Sequence, residues 1–223
     1  MATGTRELTF LLADPERRLL RAIAARLPRW TTSNHLTLLG VLGAVGTGVA
    51  YALTTLDVRW LWAASAALAL NWFGDSLDGT LARVRHRERP RYGYYLDHLV
   101  DAFSTAAVGV GIGLSPFVEL EVALLLVVAY LALSINVYLE SAVFGVFRLS
   151  YGRIGPTEAR IILIVLNTLA WLASVQGGTA PVETAALSNA ALLVLSGAMG
   201  VTLFARFIGN LNHLARLEPL ERP

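Results

Sequence analysis

The chain has 223 residues, 55% of them hydrophobic and only 15% charged, with a mean hydropathy of +0.57. That balance excludes an ordinary soluble domain and indicates an integral membrane protein. With no cysteine, disulfides, thiolate catalysis and cysteine-based zinc sites are excluded too, and the net charge of +2 matters less than where the charge sits.

Met1 to Pro28 carries charges throughout and lacks an apolar core segment, so it does not read as a signal peptide. Within residues 14–30, Leu19, Leu20, Ile23, Ala24 and Leu27 recur at helical spacing. Arg17, Arg18, Arg21 and Arg29 are available for lipid headgroups. The pattern predicts an interfacial amphipathic helix, and a helix packed on the protein itself is the alternative.

Six runs are then long enough to cross a bilayer, at roughly 36–56, 60–82, 95–115, 120–147, 158–176 and 184–208. The fold class is therefore all-α integral membrane, with six transmembrane helices plus the amphipathic N-terminal helix. Residues 1–35 form the N-terminal segment, 36–212 the transmembrane domain and 213–223 a tail. All the basic residues are arginines, and if the spans alternate, every one except Arg59 falls on one side. The positive-inside rule then puts both termini in the cytoplasm, in a multi-pass inner or plasma membrane protein. Trp60, Trp62 and Tyr51 read as interfacial belt aromatics, and His86 and His213 as solvated. Gly40, Gly43, Gly109, Gly113, Gly197 and Gly200 permit close helix contact. Gly109-x-x-x-Gly113 fits either a homodimer face or packing within one chain.

The chemistry concentrates between Asp75 and Asp101. Asp75 and Asp78 are spaced i, i+3 and share a helix face with Ala82, while Asp97 and Asp101 are spaced i, i+4 on the next helix. Carboxylates at membrane depth are costly unless paired or bound to cations. As neighbours in sequence, the two helices would bring all four together at their cytoplasmic ends, beside the arginine-rich run Arg83 to Arg91. Oxygen ligands without cysteine suit Mg²⁺, Mn²⁺ or Ca²⁺, and two such ions suit phosphoryl transfer.

The run D-x2-D-G-x2-A-R-x9-G-x3-D-x3-D, from Asp75 to Asp101, resembles the signature of the CDP-alcohol phosphotransferases (CDP-alcohol phosphatidyltransferases). The resemblance implies a metal-dependent enzyme of phospholipid synthesis that releases CMP. Asp75, Asp78 and Asp97 would ligate two divalent ions, Mg²⁺ or Mn²⁺, and Asp101 would be both ligand and general base. Asp75, Gly79, Ala82, Arg83 and Gly93 would contact the CDP moiety. A Pro-Asn-x-x-Thr element of the family is matched here by Ser33, Asn34 and Thr37, which leaves Asn34 and Thr37 as cytidine-site candidates. The partners implied are a CDP-linked lipid or alcohol donor, an alcohol acceptor and the bilayer, with no nucleic acid.

Acceptor candidates are Glu140, Arg153, Glu158 and Arg160. Glu140, with Asn136 one turn earlier, could meet an amino-alcohol headgroup, be neutral, or pair with Arg148 or Arg160. Arg148, Arg153 and Arg160 fit an acceptor phosphate or positive-inside anchoring, the latter favoured for Arg148. The donor expected is CDP-diacylglycerol. The alternative is a CDP-amino alcohol with diacylglycerol, as in the choline/ethanolamine branch, which the Asp97-His98 pair and the Gly155-Pro156-Thr157-Glu158 run resemble. His98 itself points away from the Asp97/Asp101 face and reads as structural. A cation or proton transporter is the rival from another class. It is disfavoured because the acids cluster near one face and no internal repeat is visible. An inactive lipid-binding relative is disfavoured because no signature carboxylate is missing.

Overall fold

The computed structural model describes residues 12–144, 155–175 and 181–219. Among these residues the chain is all-helical: α1 (Ala13–Arg26), α2 (Ser33–Leu53), α3 (Trp60–Val84), α4 (Pro90–Gly113), α5 (Leu120–Phe144), α6 (Pro156–Val175) and α7 (Pro181–Leu217). Four of the helices are long and apolar enough to cross a membrane: α2, α5, α6 and α7 from Ala185 onward. α3 and α4 carry the acidic signature and fall outside that set. Six spans are thus an expectation that composition supports for four helices. α7 runs on to Leu217, nine residues past the predicted end of the last span.

Helix starts follow local chemistry. Thr32 caps α2, its Oγ1 accepting from the His35 N–H while His35 Nδ1 accepts from the Thr32 N–H. Ser33 therefore occupies the first helical position, where a proline would lose no helical bond, so the Pro-to-Ser departure leaves this helix start intact. Pro90 sits at the start of α4 in the same role. α3 ends in the reverse motif. The His86 N–H bonds the Arg83 carbonyl, the Arg87 N–H bonds the Ala82 carbonyl, and His86 takes φ 52°. A non-glycine residue is strained there. His86→Gly is expected to stabilise the fold by about 1 kcal/mol, read as a higher thermal midpoint with activity unchanged.

Packing places α2 at the centre. α3 and α4 both pack along α2, α6 packs on α3, α5 on α4, and α7 on α5. This differs from the neighbouring α3–α4 pair expected from connectivity, because α2 lies against both. Small residues explain the choice. A Cβ at Gly74 would stand 2.3 Å from the Gly40 nitrogen, and one at Gly111 would stand 2.3 Å from the Gly48 Cα. Backbones approach this closely only where side chains are absent.

Gly109 and Gly113 settle on the intrachain alternative. A Cβ at Gly109 would meet Val127 Cγ2 at 2.2 Å, and one at Gly113 would meet Leu120 and Ala123, all on α5. Gly197 and Gly200 face open space, with no close partner for an added Cβ among the described residues.

Tyr51 is no belt residue: it is 4% exposed, and its hydroxyl donates to Asn167 Oδ1 at 2.9 Å. Asn167 Nδ2 in turn donates to Ser65 Oγ at 3.0 Å, which joins α2, α6 and α3 through one buried polar chain. Trp60 and Trp62 are exposed, as a belt role requires. α1 turns most of its apolar stripe to the protein. Leu20 and Ala24 are buried against Leu36, Leu77 and Leu81, with Ile23 and Leu27 beside them. Burying a leucine in this way contributes about 2 kcal/mol relative to leaving it in water. Leu19 stays exposed, as do Arg17, Arg18 and Arg21. Arg85 fastens the end of α1, donating to the carbonyls of Leu27, Pro28 and Thr31.

Candidate active site

A pocket opens between the two acidic helices over the surface of α2. It is lined by Thr37 and Gly40 of α2, Asn71, Asp75 and Asp78 of α3, and Asp97 and Val100 of α4. Helical spacing is the local cause: Asn71, Asp75 and Asp78 follow one face of α3, and Asp97 and Asp101 follow one face of α4. Asp101 lies one turn beyond Asp97, half-buried and within electrostatic reach of Asp75, Asp97, Asp78 and Arg160. Thus three signature carboxylates line one pocket and the fourth borders it.

Each α3 carboxylate has fixed partners. Asp78 is buried, with Oδ2 accepting from Thr37 Oγ1 at 2.6 Å and Oδ1 from the Gly79 N–H at 2.5 Å. Asp75 Oδ2 accepts from Arg160 Nη2 at 2.8 Å, and Arg160 Nε donates to Asn71 Oδ1 at 2.8 Å. Asn71 Nδ2 donates to the Gly40 carbonyl at 2.9 Å, so the same residue also ties α3 to α2. Arg160 therefore reaches the pocket from α6, and its ion-pair partner is Asp75, not Glu140.

Thr37 sits inside the site, whereas Asn34 is exposed at the first turn of α2. Gly79, Ala82 and Arg83 occupy the last turns of α3. The exposed Arg83 donates from Nη2 to Thr80 Oγ1 at 3.1 Å, and a Cβ at Gly79 would stand 3.3 Å from Arg83 Nη1. Gly93 lies in the first turn of α4, and beyond its own turn no atom among the described residues comes within 4 Å of where its Cβ would be. A surface bare of side chains beside exposed arginine suits approach by a phosphorylated ligand.

The donor set fits hard divalent cations by type, since the pocket offers three carboxylates and no sulfur or imidazole. As placed, no three acidic or histidine side chains among the described residues gather tightly enough to grip one ion. The reason is visible in the partners above: Asp75 turns to Arg160, and Asp78 to Thr37 and Gly79.

Residues 30–206 match the CDP-alcohol phosphatidyltransferase family. The chain belongs to that family. CDP-alcohol phosphatidyltransferases are membrane enzymes of phospholipid synthesis that join a CDP-linked donor to an alcohol acceptor, and they are generally dependent on divalent metals. A curated relative, the phosphatidylinositol phosphate synthase of Cutibacterium acnes, is 36% identical over 83 residues. That match covers 37% of this chain and 38% of the relative, well under half of either protein.

Glu140, Glu158 and His98 have structural partners among the described residues. Glu140 is buried and accepts from Asn136 Nδ2 at 2.7 Å, Arg206 Nε at 2.9 Å, Arg206 Nη2, and Asn210 Nδ2 at 2.7 Å. Of the readings left open by the sequence, pairing with an arginine holds among the described residues, but the arginine is Arg206 of α7 and not Arg160, and the network joins α5 to α7. Glu158 Oε2 accepts from the Gly155 N–H at 3.0 Å, and Oε1 from the Leu12 N–H at 2.9 Å. With Pro156 opening the helix and Glu158 at its third position, Gly-Pro-Thr-Glu is a helix-start signature that was readable in the sequence. His98 lies between the rings of Tyr94 and Tyr138, with centroids at 4.1 and 4.4 Å, as a structural histidine does. Arg148 and Arg153 lie outside the described residues. Glu16, which sequence reading passed over, bonds to α3 and α6 at once.

Proposed function

We propose that the protein transfers a phosphatidyl group from CDP-diacylglycerol to a phosphorylated polyol, inositol phosphate being the first acceptor to test, with release of CMP. The observation that carries this reading is Arg160 bonded to Asp75 and Asn71, two of the residues that line the carboxylate pocket: a guanidinium beside the acids suits an acceptor that itself bears phosphate. The name of the Cutibacterium acnes relative supports the same choice. For the residues that resemble the choline/ethanolamine branch a structural role is at hand: Thr157 and Glu158 bond to the α1 segment, and His98 contacts the rings of Tyr94 and Tyr138.

Asp75, Asp78, Asp97 and Asp101 would hold two divalent ions, Mg²⁺ or Mn²⁺. Bound there, the ions supply charge neutralisation to the pyrophosphate. Asp101 takes the proton of the acceptor hydroxyl on a carboxylate oxygen. The oxygen so freed forms a bond to the β-phosphorus, the bond from that phosphorus to the CMP oxygen breaks, and CMP leaves with the electron pair. Arg83 and the glycine surface of α3 orient the nucleotide phosphates, and Thr37 holds Asp78 in place. Arg153 and Arg160 are the acceptor-phosphate candidates, with Glu140 and Glu158 acting at a distance through the helices they join.

α3 and α4 contain 25 and 24 residues, about 36 Å of helix each, which exceeds the hydrocarbon thickness. Packed along α2, they complete six spans. Their acidic ends meet at residues 85–89, where Arg85, Arg87 and Arg89 favour the cytoplasmic side.

The test is CMP release by purified protein in lipid nanodiscs with Mg²⁺ or Mn²⁺. CDP-diacylglycerol plus inositol phosphate is expected to turn over, and CDP-choline plus diacylglycerol is not. CMP release from the second pair alone would overturn the substrate reading.

A further inference from the structure

Besides the Asn167–Ser65 bond, two layers of hydrogen bonds join α3 to α6 at the end that carries the site. The inner layer is Arg160 with Asn71 and Asp75. The outer layer centres on one atom of α1. Glu16 Oε1 accepts from Trp72 Nε1 at 2.7 Å, Thr157 Oγ1 at 2.7 Å and Ser76 Oγ at 3.3 Å. The correspondence is residue by residue: Trp72 follows Asn71, Ser76 follows Asp75, and Thr157 stands three positions before Arg160. Among the described residues Glu16 forms no ion pair. Its charge is thus directed entirely at three neutral donors, which makes the bonds stronger than neutral ones.

We propose that Glu16 is a positioning residue for the acceptor end of the site. It fixes the rotation of α3 and the register of α6, so that the Arg160 guanidinium stands beside Asp75 and faces the acceptor phosphate. α1 is thereby part of the catalytic architecture as well as a surface helix. Its two other clasps act in the same sense. Glu158 takes the Leu12 N–H at the start of α1, and Arg85 takes the Leu27 and Pro28 carbonyls at its end. The assignment rests on the reading of Arg160 as an acceptor-phosphate group.

The test uses Glu16→Ala, Glu16→Gln and Thr157→Val in the full chain, with two readouts. In CMP-release kinetics with CDP-diacylglycerol and inositol phosphate, Glu16→Ala is expected to raise the acceptor KM roughly tenfold, as loss of an outer partner of a functional group does. Donor KM should stay within about twofold. Glu16→Gln keeps an oxygen acceptor and should restore most of the loss. Adding Thr157→Val to Glu16→Ala should cost little more, because the two share one bond. Equal loss in both substrates, or full additivity, would overturn the proposal.

The second readout needs no turnover. The chain has no native cysteine, so Leu70→Cys on α3 and Ile162→Cys on α6 accept nitroxide labels cleanly at exposed positions. Glu16→Ala should shift or broaden the dipolar distance distribution between them. An unchanged distribution sinks the proposal whatever the kinetics give. Absence of CMP release by wild-type protein, with the expected distance change, would instead count against the proposed reaction and leave Glu16 as the residue that sets α3 against α6.

Discussion

Asp101→Asn is expected to give a folded protein whose CMP release falls at least about a thousandfold, the loss typical when a general base is removed. The substitution keeps the size and planarity of the side chain. It removes the one property the chemistry needs, a carboxylate oxygen able to take a proton. Asp101 sits one turn past Asp97 and within electrostatic reach of three other acids. Neutralising it relieves repulsion within that group, so the thermal midpoint measured without divalent ions should hold or rise. The two measurements separate chemistry from folding, since loss of activity with a retained melt identifies a functional group. Retention of more than a tenth of wild-type turnover would remove Asp101 from the role of base.

How much of this was legible in the sequence depended on the range of the interaction. The Asp75/Asp78 and Asp97/Asp101 faces follow from helical spacing alone, and the structure lines one pocket with three of these residues. The start of α6 was equally local, because Pro156 and Glu158 are a cap by position. Partner choice across a hundred residues was not legible. Tyr51 looks like a belt tyrosine until Asn167, 116 positions away, supplies an acceptor. Glu140 has several arginines to choose from, and only helix packing selects Arg206. The apolar stripe of α1 suits lipid and protein equally, and its docking on α3 depends on Leu77 and Leu81 presenting a matching surface. Glu16 on an amphipathic helix has no local mark that distinguishes it from a solvated acid. The order of helices was misjudged for a related reason. Connectivity favours α3 beside α4, but the glycines that let α2 approach both lie on three separate helices.

Gly74→Ala should lower both stability and turnover through a single added methyl. The added Cβ would lie 2.3 Å from the Gly40 nitrogen, 2.5 Å from the Leu36 carbonyl oxygen and 2.7 Å from the Gly40 Cα. All three are backbone atoms of α2, so no side chain can rotate away, and α3 must move off α2 by about 1 Å to restore ordinary contact. Overpacking of this kind costs about 3 kcal/mol. The displacement falls directly on the site. Gly74 precedes Asp75, and the bonds that would stretch are Thr37 to Asp78 at 2.6 Å and Asn71 to the Gly40 carbonyl at 2.9 Å. A shift of that size in a positioned group lowers turnover by about a hundredfold. The expected result is therefore a lower thermal midpoint together with a fall in kcat, recorded on the same detergent-purified protein. Gly197→Ala is the matched control, since its Cβ would enter open space inside α7: turnover should stay at the wild-type value and the midpoint should hold or rise. If Gly74→Ala behaved like that control, the close approach of α2 and α3 beneath the pocket would be wrong. The placement of Asp75 and Asp78 against Thr37 would then fail with it.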